Sequence, residues 1–301
     1  MKRFISLVLV FSGLICLLLV WVFSWADGHS DPYYLRFTTS KQSDLILGTS
    51  KAAQGLQPTV IDEVLGTSMF NYSFTVGTSP FGDVYFNSIK KKLNKRGGKG
   101  TYIITIDPWS ISSKRLDPND SSVFRENTGF LNKVSYVNLN PNPFYLLRAY
   151  NGRFGDLIEK QQQWYYLHDN GWLEVFAKID SISLINNRKR NLDSWIESNE
   201  GKYFFSKYRL RVLGEMIEYL QEFGEVYLVR LPVSEEMLAA ENKLMHDFDT
   251  RITKIIAKSN GYLDLTERHE NFVFHDGIHL YKSSGETVSK IIAEWIQQHR
   301  K

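Results

Sequence analysis

Apolar positions follow two rhythms along this 301-residue chain. Near the start, Phe4 to Phe23 is one uncharged, mostly apolar run. From Asp44 onward, short apolar runs alternate with longer amphipathic stretches. Asp44 to Leu47, Ser68 to Thr75, "TYIITI" (Thr101 to Ile106), "EVYLVRLP" (Glu225 to Pro232) and "GYLDL" (Gly261 to Leu265) read as five strands. Continuous apolar runs such as Leu45-Ile46-Leu47 suit strands covered on both faces. Helical patterns lie between them. Ala52 to Leu65 is interrupted at Pro58, which can open a second helix because its missing N–H costs nothing there. Val84 to Leu93 ends in the basic run "KKKLNKRGGKG", a solvated helix end favourable to the dipole. Phe204 to Phe223 is stopped by Gly224, and Glu235 to Ser259 and Ser283 to Gln298 follow. Alternating strands and helices predict an α/β fold, with a parallel sheet and helices on both faces.

The rhythm breaks between Asp107 and about Gly201. Pro108, Pro118, Pro141 and Pro143 fall there, with many Asn and Ser and a dense aromatic share. This is too long for a plain loop and reads as an insertion over about 110–201. Inside it, "WYYLHDNGWLEVF" predicts a hairpin turning at Asn170-Gly171. Its rings Trp164, Tyr165, Tyr166 and Trp172 form either a small local core or a platform for sugar rings. The expected organisation is a membrane anchor over 1–26, a connector over 27–43 and one α/β domain over 44–301.

The N-terminal run is long enough to cross a ~30 Å hydrocarbon core as a helix. Lys2 and Arg3 should stay in the cytoplasm, which places the domain outside it. A cleaved signal peptide is the competing reading, since Ser24-Trp25-Ala26 resembles a small-x-small cleavage site. The length of the run, and Trp21 and Trp25 at its outer end, favour an uncleaved anchor. A lipidated Cys16 lacks the small residue expected just before it. Cys16 is the only cysteine, so the domain has no disulfide, thiolate chemistry or cysteine metal site. Lys and Arg number 36 against 33 Asp and Glu, a net charge of +3. That offers no electrostatic footprint for nucleic acid.

In such a sheet, ligands bind beyond the carboxyl ends of the strands. Gly48-Thr49-Ser50, Asn71-Tyr72-Ser73, Asp107-Pro108-Trp109 and Arg230-Leu231-Pro232 reach that edge, and "FHDGIHLYKSSG" should approach it. Ser50 stands at the first strand exit, where Gly48 permits a tight turn and a following helix offers free N–H groups. Serine needs a base to act as a nucleophile. Asp276 and His279 are three apart, so one turn brings the carboxylate to one ring nitrogen and leaves the other for Ser50. The bland reading of Ser50 is a turn residue with a capping hydroxyl. His275 and His279 also form a possible metal pair, without a clear third ligand. "GTSPFG" (Gly77 to Gly82) has P-loop glycine spacing but lacks the Lys-Ser/Thr ending.

The blocks "GTSKAAQGLQP" and "DGIHLYKSSGETVSKIIAEWI" resemble the SGNH/GDSL hydrolase superfamily. They look most like its membrane-anchored members, the DltD-type teichoic-acid D-alanylation proteins and the alginate O-acetylation proteins. The resemblance runs from about Asp44 to Gln298 and is sharp only at its two ends. It implies a flavodoxin-like three-layer sandwich, with Ser50 as nucleophile, His279 as base and Asp276 as its orienting partner. It also implies a serine esterase or O-acyltransferase of cell-envelope polysaccharide, working without a cofactor and, for transfer, with a membrane-bound partner that supplies the acyl group. Two blocks depart from the family. The second strand exit reads "FNYSF", without the family's glycine, and the third reads "IDPWS", without its asparagine. The N–H groups of Ser50, Ser73 and Ser110 are then the candidate oxyanion donors. The alternatives are a non-catalytic envelope glycan-binding protein on the same fold and a metal-dependent phosphoesterase built on His275 and His279.

Overall fold

The computed structural model describes residues 1–114, 116–159, 163–177 and 181–300. The parts of the predicted insertion at 115, 160–162 and 178–180 lie outside the described residues. Five strands form one parallel sheet: β1 (Asp44–Leu47), β2 (Met69–Asn71), β3 (Gly100–Thr105), β4 (Gly224–Arg230) and β5 (Gly261–Asp264). Their order is β2-β1-β3-β4-β5. Leu45 pairs with Phe70 on one side and Tyr102 on the other, Ile103 with Tyr227, and Leu228 with Tyr262.

Side chains alternate across the sheet, as strand geometry requires. Leu45, Leu47, Phe70, Tyr102, Ile104, Val226 and Leu228 enter one core. Ile46, Met69, Ile103, Tyr227 and Val229 enter another on the opposite face. The first core is closed by α4 (Asp83–Lys92), α6 (Lys207–Gln221) and α8 (Phe248–Ile256), through Phe86, Met216 and Ile252 among others. The second is closed by α3 (Pro58–Leu65) and α9 (Lys282–His299), through Ile61, Val288 and Ile292. The result is a three-layer α/β/α sandwich. Further helices include α1 (Lys2–Phe23), α2 (Ser50–Gly55), α5 (Ser181–Asn199) and α7 (Glu235–Leu244), with short ones at Phe130–Lys133, Pro143–Arg148 and Asp156–Glu159. Tyr34, Arg36 and Phe37, from the stretch between α1 and β1, are fully buried. That stretch is packed into the domain, and Arg36 ties it to the carbonyls of Asn71 and Gly171.

Several boundaries differ from the sequence reading, and β2 ends at Asn71 rather than Thr75. Gly224 does not stop α6; it opens β4. A Cβ there would lie 1.9 Å from the Gly100 carbonyl oxygen, so glycine is required by the close approach of β3 and β4. The expected helix over Glu235 to Ser259 is two helices, α7 and α8, parted at Met245, whose φ of −154° is not helical. Asp247 stands just before α8, a carboxylate where a helix start favours one. The hairpin turns where expected: Tyr165–Leu167 pairs antiparallel with Leu173–Val175, and Gly171 supplies the left-handed turn residue.

Candidate active site

The site assembles at the carboxyl edge of β1 and β3. Gly48 leaves β1 with a φ of +156°, and a Cβ on it would meet Thr105 Oγ1 at 1.9 Å. Only glycine fits that approach. Its N–H donates to the Tyr85 hydroxyl, and its carbonyl accepts from Ser79 Oγ and the Phe74 N–H. The chain then enters α2 directly, so Ser50 occupies the first helical position with Thr49 as the cap residue.

Across the pocket, Asp276 to His279 is a tight turn written into its own sequence. Gly277 takes a φ of +85°. Asp276 Oδ1 accepts from the N–H groups of Ile278 and His279, at 3.0 and 2.8 Å, an Asx-type arrangement. The Gly277 carbonyl accepts from the N–H of Ser234, the residue that caps α7. The other carboxylate oxygen lies 2.7 Å from His279 Nδ1, and His279 Nε2 lies 2.8 Å from Ser50 Oγ. Residues 229 positions apart are thus joined in one hydrogen-bonded line. That network assigns the imidazole tautomer: Nδ1–H donates to Asp276, and Nε2 accepts from Ser50. Burial pushes the Asp276 carboxyl up, but the charge and hydrogen bond of His279 outweigh it, with help from His275. Asp276 is held well below the usual carboxylate range.

Of the three oxyanion candidates, only Ser50 has its N–H in the first turn of a helix, where no helical carbonyl reaches it. The N–H groups of Ser73 and Ser110 are engaged within their own loops. Both residues are fully buried. The Ser73 N–H donates to Asn71 Oδ1, and the Ser110 N–H donates to Asp107 Oδ1 at 2.8 Å. Each is spent on closing its own loop. Asn71 spends its amide on the carbonyls of Ala52 and Leu56, which braces α2.

Several site residues escaped the sequence reading. A cavity of about 190 Å³ is lined by Ser50, His279 and Asp276 on one side and Lys51 and Asp107 on another. Val76, Trp109, Trp195, Met237 and Ile278 supply its apolar surface. Trp195 arrives on α5 and packs edge-on against Trp109, with ring centroids 4.4 Å apart. Trp109 Nε1 is buried and has no hydrogen-bond partner among the described residues, an unspent donor in a residue of the pocket wall. Lys51 is buried in the cavity wall. It bridges Asp107 at 3.1 Å and also bonds Glu241, which reaches Arg230 at 3.3 Å. Burial works against the Lys51 ammonium, but Asp107 and Glu241 more than offset it and raise its pKa above the ordinary lysine value. The hairpin rings are placed elsewhere: Trp172 Nε1 donates to the Gln54 carbonyl at the end of α2, and Tyr165 is buried.

His275, Asp276 and His279 each present a ligand atom within 4.8 Å of the others, which could hold a metal ion. Both ring nitrogens of His279 are already engaged, however, and His275 Nε2 lies 3.1 Å from Gln54 Oε1. Burial lowers the His275 pKa from 6.5 to about 4; Asp276 pulls it up and His279 pushes it further down. The folded chain therefore binds fewer protons at His275 than the unfolded chain between pH 6.5 and pH 4. Stability from this residue is complete above that window and is lost as pH falls through it, by about 3 kcal/mol. Urea titrations of the full chain in detergent should show it. Wild type should lose about 3 kcal/mol more than His275→Gln on going from pH 7 to pH 4. Equal losses would mean that His275 is protonated in the folded state.

No protein-family model matches the chain. No curated protein matches it either. Two solved structures align over most of it at low similarity. One is a carbohydrate acetylesterase family member from Sinorhizobium meliloti, at 9% identity and a TM-score of 0.37, covering 85% of this chain and 98% of that one. The other is the acetyl xylan esterase Est2A from the rumen bacterium Butyrivibrio proteoclasticus, at 8% identity and a TM-score of 0.35, covering 87% of this chain and 64% of that one.

Proposed function

We propose that the chain is a membrane-tethered serine esterase or O-acyltransferase acting on an acylated cell-envelope glycan. The observation that carries this reading is the line Ser50 Oγ, His279 Nε2, His279 Nδ1, Asp276, with both hydrogen bonds under 3 Å. Ser50 Oγ attacks the ester carbonyl, and its proton passes to His279 Nε2. Asp276, ionised and pinned by two backbone N–H groups, stabilises the imidazolium and fixes its orientation. The N–H of Ser50 faces the developing oxyanion. Collapse breaks the ester bond, His279 returns the proton to the departing sugar oxygen, and an acyl group remains on Ser50. Water, or a second sugar hydroxyl, then attacks with His279 as base and restores the serine.

The pocket supports a small acyl group, because about 190 Å³ is less than the ~300–1,000 Å³ of drug-sized ligand sites. Trp109 and Trp195, together with Asp107 and Asn191 on the same lining, suit a sugar ring with apolar faces and hydroxyl edges. Membrane tethering rests on α1, a 22-residue helix long and apolar enough to span a bilayer, with none of its apolar window buried in the domain. A tethered domain meets envelope polymers more often than soluble esters. Transfer additionally needs a membrane partner that delivers the acyl group, which the resemblance to the anchored SGNH branch supports. The metal reading keeps one supporting observation, the clustered ligand atoms of His275, Asp276 and His279.

Fluorophosphonate labelling of the full chain in detergent separates these readings. The expected result is a covalent adduct on wild type, none on Ser50→Ala, and no change with a chelator. Absence of a Ser50-dependent adduct, together with ester turnover abolished by the chelator, would overturn the serine reading in favour of the metal.

A further inference from the structure

We propose that the face of the domain around the end of α1 rests in the membrane–water interface, as a second lipid contact beside the spanning helix. The inference builds on the tethered reading of α1 and adds a docking surface on the folded domain itself. The last residue of α1, Phe23, is buried. Its ring lies 5.8 Å from that of Phe154, and α1 contacts the short helices Pro143–Arg148 and Asp156–Glu159. A chain that leaves the bilayer at Phe23 therefore sets these helices at the bilayer surface.

Their outward side chains are the wrong ones for water. Tyr145, Leu146 and Leu157 enter the core, yet the opposite sides show Phe144, Leu147 and Ile158, with Leu147 66% and Ile158 54% exposed. A surface helix in water carries polar residues on its outer face. Phe154 is also exposed, and Phe144 extends the patch to Tyr136, with rings 4.6 Å apart. Trp21 and Trp25 stand edge-on at 4.5 Å beside the helix exit, the ring type enriched at membrane interfaces. Soluble surfaces rarely gather apolar side chains in this way. Over 143–159 the charges cancel: Arg148 and Arg153 against Asp156 and Glu159. The partner this face fits is thus the apolar margin of the lipid interface, reached by shallow insertion of ~5–10 Å. Anionic headgroups are not required. A helix alone would let the domain swing, whereas a helix plus this face fixes the height and tilt of the site above the bilayer.

The test uses the full chain in nanodiscs of phosphatidylcholine alone. An environment-sensitive fluorophore is placed on native Cys16. In a Cys16→Ser background it is placed on Leu147→Cys, on Ile158→Cys, or on Glu294→Cys, an exposed site on α9 in the opposite layer. Lipids carrying a nitroxide near the headgroup or near the chain end then quench the label. Cys16 should be quenched best by the chain-end nitroxide. Leu147→Cys and Ile158→Cys should be quenched best by the headgroup-proximal one, unchanged by salt, and Glu294→Cys by neither. Quenching at Cys16 without quenching at Leu147→Cys and Ile158→Cys overturns the docking face and leaves the anchor standing. Loss of quenching that tracks protein concentration instead assigns the face to a second copy. No quenching at Cys16 overturns the anchor itself, and the docking face with it.

Discussion

Replacing Ser50 with alanine will lower kcat/KM for an acylated sugar by about 10⁴-fold or more, with the fold intact. Ser50 is partly exposed at the start of α2, and its hydroxyl bonds to His279. Its loss therefore removes the nucleophile without opening a cavity or stranding a buried partner. Asp276→Asn should cost a similar factor for a different reason. The amide oxygen can still accept from the N–H groups of Ile278 and His279, so the turn persists. The amide nitrogen, however, would donate to His279 Nδ1 where the carboxylate now accepts. The ring proton is then driven to Nε2, which faces Ser50 and can no longer take its proton. kcat should fall about 10⁴-fold with KM little changed. A residue that merely shaped the turn would instead lower thermal stability and spare kcat. Turnover surviving in Ser50→Ala would show that another group attacks the ester.

These residues were legible because each half of the line is local. Gly48-Thr49-Ser50 is a strand exit in any register. Asp276-Gly277-Ile278-His279 encodes its own turn, a glycine for the left-handed position and a carboxylate for the two N–H groups. The sheet itself was readable from Leu45-Ile46-Leu47 and "TYIITI", because strands covered on both faces must be apolar throughout. What stayed hidden depends on partners distant in the chain. Whether the N–H of Ser73 or Ser110 is free is decided by where the side chains of Asn71 and Asp107 turn, and strand patterns carry no such information. Helix α5 lay inside a segment read as irregular, because its exposed positions over 190–199 are polar. The one cue was the spacing of Leu192, Trp195 and Ile196, which share a helical face, and Trp195 is the residue it brings to the site. The burial of Lys51 was the least legible feature of all. A lysine after a helix-starting serine reads as solvated until Asp107 and Glu241, the latter 190 residues on, close over it.

Lys51→Met is the substitution expected to damage the fold most, by about 3–5 kcal/mol. The Lys51 side chain is 9% exposed, and those of Asp107 and Glu241 are 10% and 1% exposed. With Lys51 present, that residue serves Asp107 and Glu241, and Arg230 serves Glu241, Asp249 and Asp264. Without it, Glu241 keeps Arg230, which also serves Asp249 and Asp264, and Asp107 loses the cation it bridges. Asp107, already largely desolvated by folding, then lacks its counter-ion, and Glu241 is left with one cation in place of two. Urea titration in detergent should show a lower midpoint at an unchanged slope. Adding Glu241→Gln should recover part of the loss, because it removes one of the charges left short of a cation. The two substitutions should therefore couple by more than independent sites would. The catalytic line should report the change as well. Asp107 lines the same pocket as Ser50, and an unneutralised carboxylate there opposes an oxyanion forming beside it. Fluorophosphonate labelling of Lys51→Met should slow while remaining dependent on Ser50. A variant as stable as wild type, labelled at the same rate, would mean that the Lys51 ammonium is solvated, with no part in holding the wall of the site.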